Sequence, residues 1–135
     1  MSNSKAYRTY EISKNEYREL KYFCLRYGEM KKELARIYAL KPPDSSGAYS
    51  TNPAKPTETG ALKALKLSEN IALIDRALEM AAEEPVRGIL KRSVITPNVS
   101  YNSFFSIPMG RQQFYEMRRR FFYILKLLRE TDYAL

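Results

Sequence analysis

Apolar residues recur at alternating spacings of three and four positions in three stretches of the chain. The first seam consists of Leu20, Phe23, Tyr27, Met30, Leu34 and Ile37. The second consists of Ala64, Leu67, Ile71, Ile74, Leu78 and Ala81. The third consists of Phe114, Met117, Phe121, Ile124, Leu125 and Leu128. This spacing places apolar side chains on one face of an α-helix, so we predict an all-α fold.

Local signals mark the ends of the first two helices. Ser13, with Glu16 three residues later, predicts a capping box at the start of the first helix, and Gly28 predicts a weak point inside it. Thr57 is the predicted N-cap of the second helix, and Pro85 follows its end. We expect the two helices to pack as a long antiparallel hairpin. The same seams are equally compatible with pairing between two chains in a homodimer.

The hairpin occupies residues 13–84 of the predicted domain organisation, after an N-terminal arm at residues 1–12. Residues 41–56 contain four of the seven prolines, so we expect a flexible loop between the two helices. Residues 85–135 are predicted to form a three-helix helix-turn-helix unit. Its elements are a helix from Val86 to Val94, a short helix at 100–105 capped by Ser100, a turn at 106–110, and a long last helix.

The polar face of the last helix carries amide, phenol and guanidinium groups, which are the types of group that reach base edges and phosphates in a DNA major groove. The predicted base-edge contacts are Arg111, Gln112, Tyr115, Glu116 and Arg119. Arginine pairs with guanine, glutamine pairs with adenine, and glutamate accepts from cytosine in the major groove. The predicted phosphate contacts are Arg118, Arg120, Lys91, Arg92 and the hydroxyl of Ser100. The alternative for Arg118, Arg119 and Arg120 is that one or two of them pair with acidic residues of the hairpin such as Glu83 and Glu84, Arg120 first among them.

The positive charge of the chain is concentrated around this helix. The whole chain carries 23 basic and 15 acidic residues, a net charge of +8. Residues 86–129 contain nine of these basic residues and one acidic residue, so this segment alone accounts for the net charge. A localised basic segment is typical of proteins that bind a polyanion such as double-stranded DNA. The alternative is a solvated basic surface without that function.

The composition argues against several other classes of protein. The chain has no histidine and one cysteine, Cys24, which leaves no histidine-based catalytic triad and no thiolate metal site. It has no glycine-rich phosphate loop, so we predict neither an enzyme nor a cofactor. No apolar run reaches the length of a membrane span, and no signal peptide is evident, so we expect a cytoplasmic protein of a bacterial host cell.

Four segments resemble one known family. They are residues 17–24 (YRELKYFC), 56–58 (PTE), 110–116 (GRQQFYE) and 118–123 (RRRFFY). Together they resemble the RinA/ArpU-like late transcription regulators of Gram-positive phages and prophages, whose C-terminal part is similar to DNA-binding region 4 of sigma factors. The resemblance implies activation of phage late genes through promoter DNA, with host RNA polymerase as a further partner.

Two alternative functions stay open at this point. One is a phage DNA-packaging protein, similar to a small terminase, which binds DNA at the genome end. The other is a non-catalytic phage inhibitor that binds a host protein such as a nuclease. Phe122 and Tyr123 bear on this choice because helical spacing places them off the predicted apolar stripe. We favour packing within the chain or a dimer over a dedicated partner site for these two aromatic residues.

Overall fold

A computed structural model of the protein describes residues 10–39, 58–104 and 106–134, with side chains up to Thr131. The described helices are α1 (Lys14–Leu25), α2 (Tyr27–Ala39), α3 (Glu58–Ala81), α4 (Val86–Ile95) and α5 (Arg111–Ala134), with a 3₁₀ turn at Tyr101–Ser103. The described residues contain no strand, and the predicted all-α class is confirmed. Most of the predicted arm, the predicted loop at 41–56 and the predicted cap Thr57 lie outside the described residues.

The start of α1 agrees with the predicted capping box. The backbone N–H of Glu16 donates to the Ser13 hydroxyl at 3.1 Å, and the backbone N–H of Ser13 donates to the Glu16 carboxylate at 3.0 Å. This bond from Ser13 lowers the pKa of Glu16, and Lys126, 3.3 Å from the same carboxylate, acts in the same direction. These two reciprocal bonds satisfy N–H groups that have no partner within the helix.

The predicted first long helix is divided into two. Helix α1 ends at Leu25, and Arg26 closes it with a backbone hydrogen bond to Phe23 at 3.2 Å, three residues back instead of four. Such a tightened last turn is common at helix ends. Helix α2 begins at Tyr27, so the break lies two residues before the predicted weak point at Gly28.

The chain forms two compact units, one from Met1–Arg26 with Leu73–Leu135 and one from Tyr27–Ala72. In the second unit, Tyr27 and Met30 of α2 are buried, as are Ala64, Leu67 and Ile71 of α3. Lys63 forms an ion pair with Glu33, which brings α2 and α3 together at that point. The complete antiparallel hairpin and the predicted boundary between residues 84 and 85 stay predictions.

In the first unit, α1 packs against α4 and α5. The buried apolar residues of this unit are Leu20, Cys24, Ile74, Ala77, Leu78, Ala81, Leu90, Val94, Phe114, Phe121, Phe122 and Leu125. The predicted second seam is buried along its whole length, from Ala64 to Ala81. The first seam is only partly correct, because Cys24 is fully buried where the spacing favoured its neighbour Phe23.

The buried stripe of α5 differs from the predicted one. Phe114, Phe121 and Leu125 are fully buried as predicted, but Met117 and Ile124 are only partly buried. Phe122 is fully buried in their place, which moves the centre of the stripe by roughly 50° about the helix axis at about 100° per residue. The expected packing of Phe122 within the chain is therefore confirmed.

The predicted helix at 100–105 is replaced by a much shorter element. The 3₁₀ turn spans three residues, and Phe104 after it has an extended backbone (φ −102°, ψ 142°). The backbone N–H of Ser100 donates to the Ser103 hydroxyl at 3.0 Å. Serine side chains that bond to nearby backbone favour turns over helices, which accounts for the difference. The helix-turn-helix arrangement is not confirmed, because α4 and α5 are joined by this turn and irregular chain.

Candidate nucleic-acid interface

The first two turns of α5 present an exposed polar surface. It consists of Arg111, Gln112, Tyr115 and Glu116, which we call the recognition face. Tyr115 is 37% exposed, and the other three residues are exposed as well. Phe114, in the middle of this segment, is fully buried and anchors the helix to the body of the first unit. Four of the five predicted base-contacting residues therefore lie on one accessible surface.

Arg111 is held in place by the 3₁₀ turn. Its guanidinium donates a 2.8 Å hydrogen bond to the side-chain oxygen of Asn102 and lies 5.5 Å from the centre of the Tyr101 ring. The Asn102 amide is neutral and the Tyr101 ring is uncharged, so these contacts orient the cation without neutralising it. An oriented and exposed guanidinium is suited to a two-point contact with guanine or with phosphate.

Tyr115 connects the same turn to α5. Its hydroxyl oxygen accepts a 3.0 Å hydrogen bond from the backbone N–H of Tyr101, and the Tyr101 hydroxyl donates to the carbonyl of Met109 at 2.8 Å. The Tyr101 ring also packs edge-on against Phe114, 5.7 Å between ring centres. The oxygen of Tyr115 therefore accepts a hydrogen bond within the first unit, in an exposed position, and the residue is 37% exposed. Its predicted contact with a base edge stays a prediction, because the O–H group can still donate.

Arg118 does not lie on the exposed side of α5, contrary to its predicted role at phosphates. Its guanidinium is partly buried and donates to the Tyr17 hydroxyl at 3.0 Å and to the carbonyl of Ser93 at 3.2 Å. The guanidinium also lies 5.2 Å from the centre of the Phe122 ring. The partial burial of Arg118 follows from the shifted position of the buried stripe, because Arg118 lies on the same side of the helix as Phe122.

The next two arginines also have partners within the first unit. Arg119 is partly buried and donates to the carbonyl of Tyr10 at 3.4 Å, so its predicted contact with a base requires this long bond to open. Arg120 is exposed and donates to the carbonyl of Met80 at 3.5 Å. The alternative of an ion pair with Glu83 or Glu84 is not what the structure shows for Arg120.

The predicted phosphate contacts outside α5 are divided. Arg92 is exposed, with its guanidinium 5.3 Å from the centre of the Phe104 ring. Ser100 is exposed beside the 3₁₀ turn. Lys91 is paired with the carboxylate of Asp75 at 3.7 Å, and this carboxylate offsets its charge. Arg92 and Ser100 are therefore better placed for a polyanion than Lys91.

Two residues that position the recognition face were not predicted from the sequence. Asn102 orients Arg111, and Tyr101 supports both Arg111 and Tyr115. The sequence carried a signal only for the turn itself, because serine and asparagine bond to nearby backbone and favour turns. The segment from Ser100 to Ser103 consists of such residues together with one aromatic.

Cys24 is the one cysteine of the chain, and its side chain is fully buried. Burial raises the pKa of the Cys24 thiol to about 12, which disfavours the reactive thiolate form near neutral pH. No cluster of three carboxylate or thiol side chains suited to a metal ion occurs in residues 10–39, 58–104 and 106–131. Within the same part of the chain, no helix has both the length and the apolar character of a membrane span.

Comparisons with protein-family models, with curated proteins and with solved structures gave no match for this chain.

Proposed function

We propose that this protein is a sequence-specific DNA-binding protein. The observation that carries the proposal is the recognition face, an exposed set of guanidinium, amide and carboxylate groups on the first two turns of one helix. This surface lies within the segment 86–129, which holds the whole net positive charge of the chain. Side chains of these types distinguish base pairs in the major groove, and a basic surround attracts the phosphate backbone.

We assign the proposed DNA contacts to base edges or to phosphates according to the chemistry and position of each side chain. Gln112 and Glu116 are one helical turn apart on the exposed side of α5, where an amide and a carboxylate meet successive base edges. Arg111 has a guanidinium already oriented by Asn102, so binding loses less side-chain entropy there. Arg92 and Arg120 lie outside the recognition face and are assigned to phosphates.

We further propose a role as a transcription regulator of phage or prophage origin that activates late genes. This narrower proposal is supported by the resemblance of the segments at residues 17–24, 56–58, 110–116 and 118–123 to phage late transcription regulators, and it adds host RNA polymerase as a partner. The anchoring of α5 supports both the general and the narrower proposal, because Phe114, Phe121 and Leu125 hold this helix in the core. Base contacts made from a rigid helix are more specific than those made from a loop.

Selection of bound duplexes from random DNA, followed by titration at several salt concentrations, tests the proposal. We expect an enriched sequence, with log Kd rising against log salt by about 0.9 for each phosphate contact. Arg111→Ala and Gln112→Ala should each weaken binding to the enriched site by about 1–3 kcal/mol. Arg76→Ala, at an exposed position of α3, removes the same charge as Arg111→Ala and should leave selectivity unchanged.

Two results would exclude this function. The first is the absence of duplex binding below millimolar concentration at low salt, which favours the inhibitor class of protein instead. The second is equal binding to all sequences, with Arg111→Ala and Arg76→Ala indistinguishable.

A further inference from the structure

A cavity of about 430 Å³ lies in the first unit between α1, the chain after α4, and α5. The polar side chains at this cavity include Lys21, Tyr22, Thr96, Asn98, Tyr115 and Arg118. Among the described residues that line it there are two cations and no carboxylate. The cavity is large enough for a ligand of nucleotide size, since small-molecule sites in proteins span about 300–1,000 Å³.

Arg118 lines this cavity, and its guanidinium forms no ion pair with any described carboxylate. The groups that accept its hydrogen bonds, the Tyr17 hydroxyl and the Ser93 carbonyl, are both neutral. Its Nε atom is buried and has no hydrogen-bond partner among the described residues. Charges that are partly removed from water are normally paired with an opposite charge, because desolvation is costly. This guanidinium therefore favours an anion in the adjoining space.

The rest of the lining suits a phosphate group attached to a base. Lys21 supplies a second, exposed cation from α1, and Thr96 and Asn98 supply a hydroxyl and an amide from the chain after α4. Asn98 has a φ of 60°, a left-handed backbone that asparagine tolerates better than most residues. Tyr22 is 65% exposed at the same cavity, and an exposed aromatic ring stacks favourably on a nucleobase.

We propose that this cavity binds the phosphate of a nucleotide, with Lys21 and Arg118 as the anion ligands and Tyr22 as the stacking surface. The nucleotide is either free in solution or part of a strand bound to the protein. Tyr115 lines the cavity and also belongs to the recognition face, whereas Lys21, Tyr22 and Arg118 lie outside that face. If the nucleotide belongs to a bound DNA strand, the inference rests on the proposed DNA-binding function.

Calorimetric titration of the full chain tests the site, with deoxyadenosine monophosphate, inorganic phosphate, deoxyadenosine and a short single-stranded DNA as probes. We expect the monophosphate to bind more tightly than inorganic phosphate, and deoxyadenosine to bind least, because both the anion and the base contribute. Lys21→Gln should raise the Kd of the monophosphate about tenfold, which corresponds to about 1.4 kcal/mol. Lys32→Gln, an exposed lysine of α2, is the matched control and should leave that Kd unchanged.

A spectroscopic measurement locates the ligand without relying on a variant that weakens the fold. The Nε–H signal of Arg118 in a ¹H–¹⁵N spectrum should shift on addition of the monophosphate, together with the backbone signals of Asn98 and Val99. Arg118→Lys should weaken binding even where this variant stays folded, because an ammonium group lacks the planar fork of the guanidinium.

The probes also separate the two sources of the phosphate and the two proposals. Binding of the monophosphate supports a free nucleotide, whereas a Lys21-dependent affinity for the strand alone supports a strand phosphate. If neither probe binds, or if Lys21→Gln and Lys32→Gln weaken binding equally, the site is overturned. Arg111→Ala should weaken duplex binding without changing the Kd of the monophosphate, so failure of either proposal leaves the other testable.

Discussion

The guanidinium of Arg118 donates a 3.0 Å hydrogen bond to the hydroxyl of Tyr17, a residue 101 positions earlier in the chain. The Tyr17 ring packs edge-on against Phe122, 5.2 Å between ring centres, and Arg118 lies over the same Phe122 ring. A second bond from Arg118 reaches the carbonyl of Ser93 on α4. One cation therefore connects α1, α4 and α5, which gives it a structural role that an arginine-rich sequence does not suggest.

Arg118→Ala should lower the free energy of unfolding by about 2–3 kcal/mol, because hydrogen bonds from a charged group contribute more than neutral ones. Arg120→Ala is the matched control, since Arg120 is exposed and its one described bond is long, at 3.5 Å. This control should change stability by less than about 0.5 kcal/mol. Urea denaturation followed by circular dichroism measures both values. Equal effects in the two variants would contradict the structural role of Arg118.

The rotation of α5 shows which part of the fold the sequence pattern could predict. Local signals were sufficient for the capping box at Ser13, because both of its hydrogen bonds span three residues. The buried side of α5 depends instead on distant partners in α1 and α4. Apolar residues cover a wide arc of this helix, so spacing alone fits both a stripe through Met117 and a stripe through Phe122. The charged Arg118 lies on the same side as Phe122, which made that side look polar.

The same limit applies to the candidate interface. Exposure of Gln112 and Glu116 follows from helical periodicity, so their position on the recognition face could be predicted. The bond from Arg111 to Asn102 depends on how the chain turns before α5, and spacing carries no information about that geometry. The cavity beside Lys21 was also beyond prediction, because its lining comes from three separate parts of the chain.

Phe122 should be as important for stability as Phe121, because both rings are fully buried and contact each other at 5.1 Å between centres. Phe121→Ala and Phe122→Ala should each lower the free energy of unfolding by about 3–5 kcal/mol. Leu127→Ala, at a position that is 42% exposed on the same helix, serves as the control and should cost far less. A thermal melt of Phe122→Ala that matches the melt of Leu127→Ala would place Phe122 outside the core.

Ser13→Ala should lower the free energy of unfolding by about 1 kcal/mol, the usual effect of removing an N-cap side chain. The variant loses the bond from the Glu16 backbone to the Ser13 hydroxyl. Ser13→Asp retains an acceptor at the cap and should stay close to the wild-type protein in the same denaturation experiment. A Ser13→Ala variant as stable as the wild-type protein would show that the bond to the hydroxyl contributes nothing.

The capping box also makes the stability of the fold depend on pH in the acidic range. The pKa of Glu16 is lowered in the folded protein, chiefly by the bond from the Ser13 backbone. The carboxylate therefore stabilises the fold above the unfolded pKa of glutamate, and this contribution is lost as the pH falls through the folded pKa. Glu16→Gln should reduce the loss of stability in acid, as measured by unfolding at a series of pH values. An unchanged acid profile would contradict the assignment.

The buried thiol of Cys24 should make the stability of the fold depend on pH in the alkaline range. Its thiol is fully buried, and burial raises its pKa from the usual value of about 9 to about 12, partly offset by the nearby charges of Arg118 and Arg129. Because the folded pKa is the higher one, the folded protein holds this proton more tightly than the unfolded chain. The contribution to stability is therefore complete below about pH 9 and is lost as the pH rises towards 12.

Cys24→Ala isolates this contribution from the lysines and tyrosines that titrate in the same range. Between pH 9 and 11, the wild-type protein should lose about 1.4 kcal/mol of unfolding free energy per pH unit more than the variant does. Denaturant titrations of both proteins at intervals of half a pH unit, with reductant present, measure the difference in slope. The variant is less stable at every pH because it leaves a small gap in the core, so only the slopes are compared. Parallel slopes would mean that water reaches the thiol in the folded protein, and that α1 and α5 do not exclude solvent around it.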